Sequence, residues 1–235
     1  MSILFPKQRF SALIRSFALL FCAASCFMQC REAPLSRAKA LLESGDFLSA
    51  RKLYEKVVET NPDDFAAHYG LGMTWSAEAL YKTEIGLAEP EDWYPAIYQM
   101  TVASHLDTSE EVHRTLAVLH YNLGACYKKE GSPLEALARI QQAVLYDSTL
   151  LKAYNLLGAL YQEQGDLDKA DNCYRRALLL KPDYAMALFN RGALSWARRE
   201  YAAAEKCFQD ALTCEPQNTL FAAWLSKAHI AAGGR

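Results

Sequence analysis

The sequence lacks the motifs that carry chemistry in most enzymes. It contains no glycine-rich phosphate-binding loop, no GxSxG and no HExxH, the patterns typical of nucleotide-binding and hydrolytic sites. Its five histidines do not group with acids or cysteines at the spacing of metal ligands, and no two cysteines form a CxxC pair. We therefore expect no catalytic activity, no metal site and no cofactor.

The chain also lacks an excess of charge of one sign. Its 25 lysines and arginines nearly balance 27 aspartates and glutamates, which gives a formal net charge of -2. A protein that binds nucleic acid usually carries a strongly basic surface. The charge balance therefore predicts no nucleic-acid partner.

The first thirty residues differ from the rest of the chain. Lys7, Arg9 and Arg15 precede a short apolar run and then small residues, an order typical of an export signal. The apolar run is shorter than the roughly 20 residues that a membrane-spanning helix needs. The small residues 23–25 directly before Cys26 resemble a bacterial lipobox, and this resemblance implies that Cys26 is lipidated and becomes the mature N-terminus. Ordinary cleaved secretion and an uncleaved N-terminal anchor remain open.

Small residues recur at a fixed interval in the second half of the chain. Gly124, Gly158 and Gly192 lie 34 residues apart. Alanines at two further positions keep the same interval: Ala136, Ala170 and Ala204, and Ala143, Ala177 and Ala211. Self-similarity at this period predicts an all-α solenoid of helical pairs, each stacked on the next.

The unit from 151 to 184 resembles the tetratricopeptide repeat (TPR) family. The resemblance rests on nine residues at the spacing of the family pattern: Tyr154, Leu157, Gly158, Tyr161, Gly165, Ala170, Tyr174, Ala177 and Pro182. The resemblance implies a right-handed superhelix of antiparallel helix pairs. The unit from 185 to 218 departs from the pattern at Arg191, Ser195 and Arg199.

The resemblance divides the chain into a signal region, a tether, five repeat units and a last helix. We predict a signal peptide over 1–26, a tether over 27–33, and a TPR array over 34–218 with units 31–64, 65–116, 117–150, 151–184 and 185–218. Residues 219–231 are predicted to form a capping helix. The second unit carries an insertion near 80–92, where 34 residues between equivalent glycines become 52.

Local signals predict where the helices end. Gly131 and Gly165 follow first helices, where a left-handed backbone is needed. Ser132 and Asp166 then stand at N-cap positions of second helices, and Glu135 would complete a capping box with Ser132. Cys126, Cys173, Cys207 and Cys214 fall inside predicted helices, and we interpret them as small buried apolar residues.

Candidate binding residues lie at the positions that line the concave face in the TPR family. The predicted groove comprises Tyr69, Met73, Tyr121, Lys152, Asn155, Phe189 and Trp196. Aromatic rings on a solvated face favour a role in partner binding; the alternative is that the chain's own insertion or terminus fills the groove. A second candidate is the insertion with Tyr81, Trp93 and Tyr94, for which a solvated loop anchored by its aromatic residues is the alternative.

These observations favour a membrane-anchored scaffold of the bacterial envelope, facing the periplasm or the exterior, that binds a protein or peptide partner. Two other interpretations stay open. Apolar residues of the last helix, Phe221, Trp224, Leu225 and Ile230, would suit a self-associating homo-oligomer. The aromatic groove would alternatively suit a carrier of a small molecule or lipid.

Overall fold

The computed structural model describes residues 33–233, which are almost wholly helical and contain no strand within those bounds. One 3-10 turn, Pro90–Trp93, lies between the third and fourth helices. The eleven helices of the described range are α1 (33–43), α2 (Phe47–Thr60), α3 (Phe65–Glu84), α4 (Tyr94–Leu106), α5 (Glu110–Lys129), α6 (Pro133–Tyr146), α7 (Leu151–Glu163), α8 (Leu167–Leu180), α9 (Ala185–Ala197), α10 (Tyr201–Cys214) and α11 (Thr219–Ala231).

The helices pack in antiparallel pairs, and each pair contacts mainly the next pair along the chain. The repeated glycines set the distance within a pair. A Cβ atom at Gly158 would lie 2.5 Å from a ring carbon of Tyr174, and one at Gly192 would lie 2.7 Å from a ring carbon of Phe208. Only glycine allows the second helix to bring an aromatic ring this close, so the 34-residue interval follows from packing.

The predicted turn residues have the expected conformations, with one exception. Gly131 and Gly165 have φ values of +81° and +83°, as a left-handed helix end requires. Asp166 accepts a hydrogen bond from the backbone N–H of Lys169 at 3.2 Å. Ser132 makes no side-chain capping bond, so the predicted capping box is wrong; proline at the next position already fixes the helical φ of the first turn.

In two of the pairs, the first helix is longer than its counterparts in the other pairs. Helices α7 and α9 have 13 residues, whereas α3 and α5 have 20. Helix α3 runs through residues 80–84 of the predicted insertion, and only 85–93 form a loop and a 3-10 turn. Helix α5 begins at Glu110, inside the unit assigned to 65–116. The second-helix pattern predicted at Ala96, Met100 and Ala103 is confirmed, because all three are fully buried in α4.

The core is a series of apolar clusters between consecutive helices rather than one central mass. The largest joins α3, α4 and α5 and includes Trp93, Met100 and Leu116. The described cysteines are free thiols; Cys126, Cys173 and Cys207 are half-buried, whereas Cys214 is exposed. The interpretation of all four as buried residues is thus wrong for Cys214, which lies at the end of α10.

Candidate inner-face binding site

The first helices of successive pairs contact one another and build one continuous surface, here called the inner face (α1, α3, α5, α7, α9 and α11). The predicted groove residues lie on four of these helices: Tyr69 and Met73 on α3, Tyr121 on α5, Lys152 and Asn155 on α7, and Phe189 and Trp196 on α9. Three polar contacts connect neighbouring first helices: Tyr69 Oη to Glu111 Oε1 at 2.9 Å, Lys128 Nζ to Glu163 Oε1 at 2.9 Å, and Asn190 Nδ2 to Asn155 Oδ1 at 2.9 Å.

The N-terminal end of the inner face contains an open cavity of about 580 Å³. Tyr69 and Met73 line its α3 side, and Leu35 and Leu42 line its α1 side. The Tyr69 hydroxyl donates its hydrogen bond to Glu111, and burial together with that bond raises the pKa of Tyr69. The cavity is therefore mainly apolar, with a neutral phenol at its edge and the charged Lys39 and Glu43 also in its lining.

The middle of the inner face is more polar. Tyr121 is half-buried against the cluster that joins α6 and α7, and burial raises the pKa of its phenol. Lys152 is exposed. Asn155 is half-buried and accepts the hydrogen bond from Asn190. This part of the surface offers the exposed Lys152 and an amide pair rather than an apolar space.

The C-terminal end is covered by the chain's own last helix. Phe189 stacks on Phe221 of α11 with ring centroids 4.9 Å apart. Trp196 meets Trp224 edge-on at 5.7 Å. The sequence left open whether these aromatic residues bind a partner or are covered by the chain's own insertion or terminus. At Phe189 and Trp196, the structure shows α11 packed against the rings. Phe221, Trp224 and Leu225, three of the four residues that suggested self-association, pack into the stack; Ile230 is exposed.

Family models of the tetratricopeptide repeat match two separate segments of the chain, residues 35–83 and 151–184. The first match covers the open end of the inner face, and the second coincides with the α7–α8 pair. The chain is a TPR protein. No curated protein matches its sequence.

Solved structures with the same fold include several TPR proteins. The MamA protein is 25% identical over 80% of this chain and 93% of its own, with a TM-score of 0.55. YrrB, described as a TPR protein with an unusual peptide-binding site, is 19% identical over 81% of this chain and 89% of its own, also with a TM-score of 0.55. PilF of Pseudomonas aeruginosa is 18% identical over 86% of this chain and 84% of its own, with a TM-score of 0.54.

The departures of unit 185–218 from the TPR pattern have structural counterparts. Arg191 donates from Nε to Oδ1 of Asp171 on α8 at 3.1 Å, so an ion pair stands where the TPR pattern has an apolar residue. Arg199 replaces the turn glycine and has a φ of 62°, a left-handed conformation that costs a side-chain-bearing residue roughly 1 kcal/mol. For Ser195 the structure offers no comparable explanation.

The three aromatic residues of the insertion have different environments. Trp93 is 1% exposed and belongs to the core, with no hydrogen-bond partner for its indole N–H in the described structure. Tyr94 shares a short hydrogen bond with Tyr127, which together with burial raises the pKa of Tyr127 to about 12. Tyr81 is 55% exposed. The insertion is thus anchored by two of its aromatic residues and presents the third to solvent.

Sequence reasoning missed the contribution of the first pair to the inner-face cavity. Leu35, Leu42 and Tyr54 line it together with Phe65, and none of these four was predicted to belong to the groove. The seven-residue spacing of Leu35 and Leu42, two turns of a helix, was the available signal.

The predicted lipid site Cys26 lies outside the described residues. Between residues 33 and 233, no helix is both long and apolar enough to cross a membrane, and no three potential ligand side chains come together to hold a metal ion.

Proposed function

We propose that this TPR protein is a scaffold that binds a segment of a protein partner on its inner face, at the open end between α1 and α3. A TPR array offers a broad surface and no catalytic constellation, which suits it to hold a partner rather than to transform a substrate. The similarity to YrrB, whose description includes a peptide-binding site, supports this choice.

The observation that carries the proposal is the contrast between the two ends of the inner face. At one end, α11 fills the space beside Phe189 and Trp196. At the other end, Tyr69 and Met73 border a mainly apolar cavity of about 580 Å³ that no residue between 33 and 233 fills. Buried anchor side chains supply most of the affinity of protein interfaces, so an apolar anchor residue of the partner fits this cavity.

A cavity-filling substitution tests the site. Peptides selected from a random library on the purified chain would be titrated against the wild type and Ala66→Trp, which places an indole at the cavity wall. We expect affinity to fall on the order of tenfold or more. The control Leu179→Trp alters an exposed side chain on α8 and should leave affinity unchanged. Equal binding to the wild type and Ala66→Trp would exclude this cavity as the peptide site.

The same cavity supports a second candidate function, transport or sensing of a small apolar molecule. Its volume falls within the range of small-molecule pockets, roughly 300–1,000 Å³. Native mass spectrometry of the gently purified chain distinguishes the two functions. An added mass that Ala66→Trp abolishes would favour the small-molecule function, whereas an apo mass combined with peptide binding would favour the scaffold.

We further propose that lipid on Cys26 anchors the chain to a membrane of the bacterial envelope, facing the periplasm or the exterior. The basis is the cationic, apolar and small-residue order before Cys26. Two acyl chains suffice for stable attachment, whereas one does not. Cys26→Ala should move the chain from the membrane fraction to the soluble fraction, while Cys30→Ala should not. Retention of Cys26→Ala in the membrane would contradict the lipid anchor.

A further inference from the structure

A second apolar surface lies at the edge of the array, away from the inner face. Four apolar side chains are strongly exposed there: Leu48 at 54%, Tyr81 at 55%, Ile85 at 50% and Leu87 at 68%. All four line one open groove of about 800 Å³ between the start of α2 and the end of α3. We call it the edge groove. It shares no lining residue with the inner-face cavity.

The edge groove exists because α3 is longer than the first helices of the regular units. Tyr81 lies on the additional turns of α3, and Ile85 caps that helix. An ion pair joins α3 to the far end of the loop that carries Leu87, where Lys82 Nζ contacts Asp92 Oδ1 at 2.5 Å, and the neighbouring Trp93 is buried in the core. The exposed side chains therefore stand on a fixed wall, which lowers the entropy cost of binding.

The charges around the edge groove are unbalanced. Four carboxylates line it, from Asp46, Glu78, Glu89 and Asp92, against the two cations Arg51 and Lys82. Arg51 contacts Glu78 at 3.0 Å, and Lys82 contacts Asp92. Both cations are thus engaged by two of the carboxylates, and the lining keeps a net negative charge.

Hydrogen bonds further favour the ionised form of one of the remaining carboxylates. The side chain and the backbone N–H of Ser49 hydrogen-bond to Asp46, and these bonds lower the pKa of its carboxyl. The groove therefore combines exposed apolar side chains with negatively charged ones at neutral pH.

We propose that the edge groove docks a cationic, apolar segment of a partner protein, one that presents at least two large apolar side chains flanked by lysine or arginine. Apolar side chains of the partner would cover Leu48, Tyr81 and Leu87. Its cations would face the carboxylates of Asp46 and Glu89. A second copy of this chain fits less well, because a symmetric contact would bring two acidic grooves together. An anionic bilayer is disfavoured by the same negative charge.

The test uses a fluorescent 18-residue amphipathic peptide of leucine and lysine as the probe, and a matched leucine and glutamate peptide. Fluorescence anisotropy with the 235-residue chain should show binding of the lysine peptide only, weakening as salt is raised. The double variant Ile85→Ser/Leu87→Ser should reduce affinity on the order of tenfold or more. Equal binding of both peptides, or equal binding by wild type and variant, would overturn the proposal.

Controls separate this surface from the inner face and from self-association. Leu145→Ser removes an equally exposed apolar side chain on α6 and should not change affinity. Ala66→Trp, which fills the inner-face cavity, should leave binding of the lysine peptide intact. Loss of binding in Ala66→Trp would overturn the assignment to the edge groove. Dimerisation of the wild type that Ile85→Ser/Leu87→Ser abolishes would replace the cationic partner with a second copy.

Discussion

Phe189 on α9 stacks face to face on Phe221 on α11, with the ring centroids 4.9 Å apart and the planes 22° from parallel. Phe221 is fully buried, although it belongs to the last helix of the stack. Terminal helices of repeat arrays stabilise the array by covering its last apolar surface. The stack therefore depends on α11 as part of its core.

The first prediction concerns this aromatic contact. Phe221→Ala should lower the free energy of unfolding by about 3–5 kcal/mol, because it leaves a cavity beside Phe189 and Ala211. Leu220→Ala changes the neighbouring residue, which is 52% exposed, and should cost much less, within about 0.5 kcal/mol. Urea denaturation followed by circular dichroism measures both. Equal costs would mean that α11 is not packed as described.

The second prediction concerns two equivalent turns. Arg199 has a φ of 62°, and Gly165 at the matching position of the preceding unit has a φ of 83°. Arg199→Gly should stabilise the protein by about 1 kcal/mol, because glycine adopts this conformation without strain. Gly165→Ala should destabilise it by a similar amount, since a Cβ there meets no atom within 4 Å and only the backbone conformation matters. In thermal unfolding, Arg199→Gly should raise the melting temperature and Gly165→Ala should lower it.

The third prediction is a pH dependence that originates at His120. Burial, assisted by the positive charge of Arg139, lowers the pKa of His120 from 6.5 to about 4. The folded state then binds fewer protons than the unfolded state between these two values, so stability is full above about pH 6.5 and falls as the pH decreases towards 4. At about 1.4 kcal/mol per pKa unit, the loss reaches at most roughly 3 kcal/mol.

His120→Phe isolates this contribution. A phenyl ring preserves the stacking on Tyr146, whose ring lies 5.4 Å from that of His120, and it cannot be protonated in this range. Unfolding free energies measured between pH 7 and pH 4.5 should therefore decrease less in His120→Phe than in the wild type. His105 is exposed, so His105→Gln serves as the control. Its unfolding free energy should decrease with falling pH as much as that of the wild type. An equal decrease of the unfolding free energy in His120→Phe and in the wild type would exclude His120 as the source of the pH dependence.

The fourth prediction concerns the ion pair that replaces an apolar contact in unit 185–218. The carboxylate of Asp171 accepts from Arg191 at 3.1 Å and from Arg175 at 2.7 Å, and its side chain is 14% exposed. A double-mutant cycle with Asp171→Ala and Arg191→Leu should give a coupling energy of about 0.5–1 kcal/mol. Arg191→Leu alone should cost little, because leucine suits this position of the repeat. A coupling energy of zero would mean that the contact between Asp171 and Arg191 does not contribute to the stability of the protein.

The regular units could be predicted from the sequence because their packing depends on residues at fixed positions. Glycine opposite an aromatic or branched residue, as at Gly158 and Tyr174, is visible in the sequence and decides how closely two helices approach. The early start of α5 was not predicted, although Val112, Leu116, Leu119 and Leu123 are all buried at helical spacing. A repeat template of 34 residues hid this periodicity, because its unit boundary fell within the helix.

The candidate site was predictable in position but not in occupancy. Repeat position placed Tyr69 and Phe189 on equivalent faces of α3 and α9, yet one borders an open cavity and the other lies under α11. The difference depends on residues of the neighbouring helix, which the pattern of a single repeat does not describe. The edge groove was hidden for a related reason: Leu48 and Leu87 come from different units, and they meet only because α3 extends beyond its usual end.

Leu35, at the wall of the inner-face cavity, follows Cys26 by only nine residues. A fully extended chain of that length reaches about 30 Å, comparable to the thickness of the hydrocarbon core of a bilayer. A partner held at this cavity by a protein lipidated on Cys26 would thus stay close to the headgroups. The open end of the array would then select partners by their distance from the membrane as well as by their sequence.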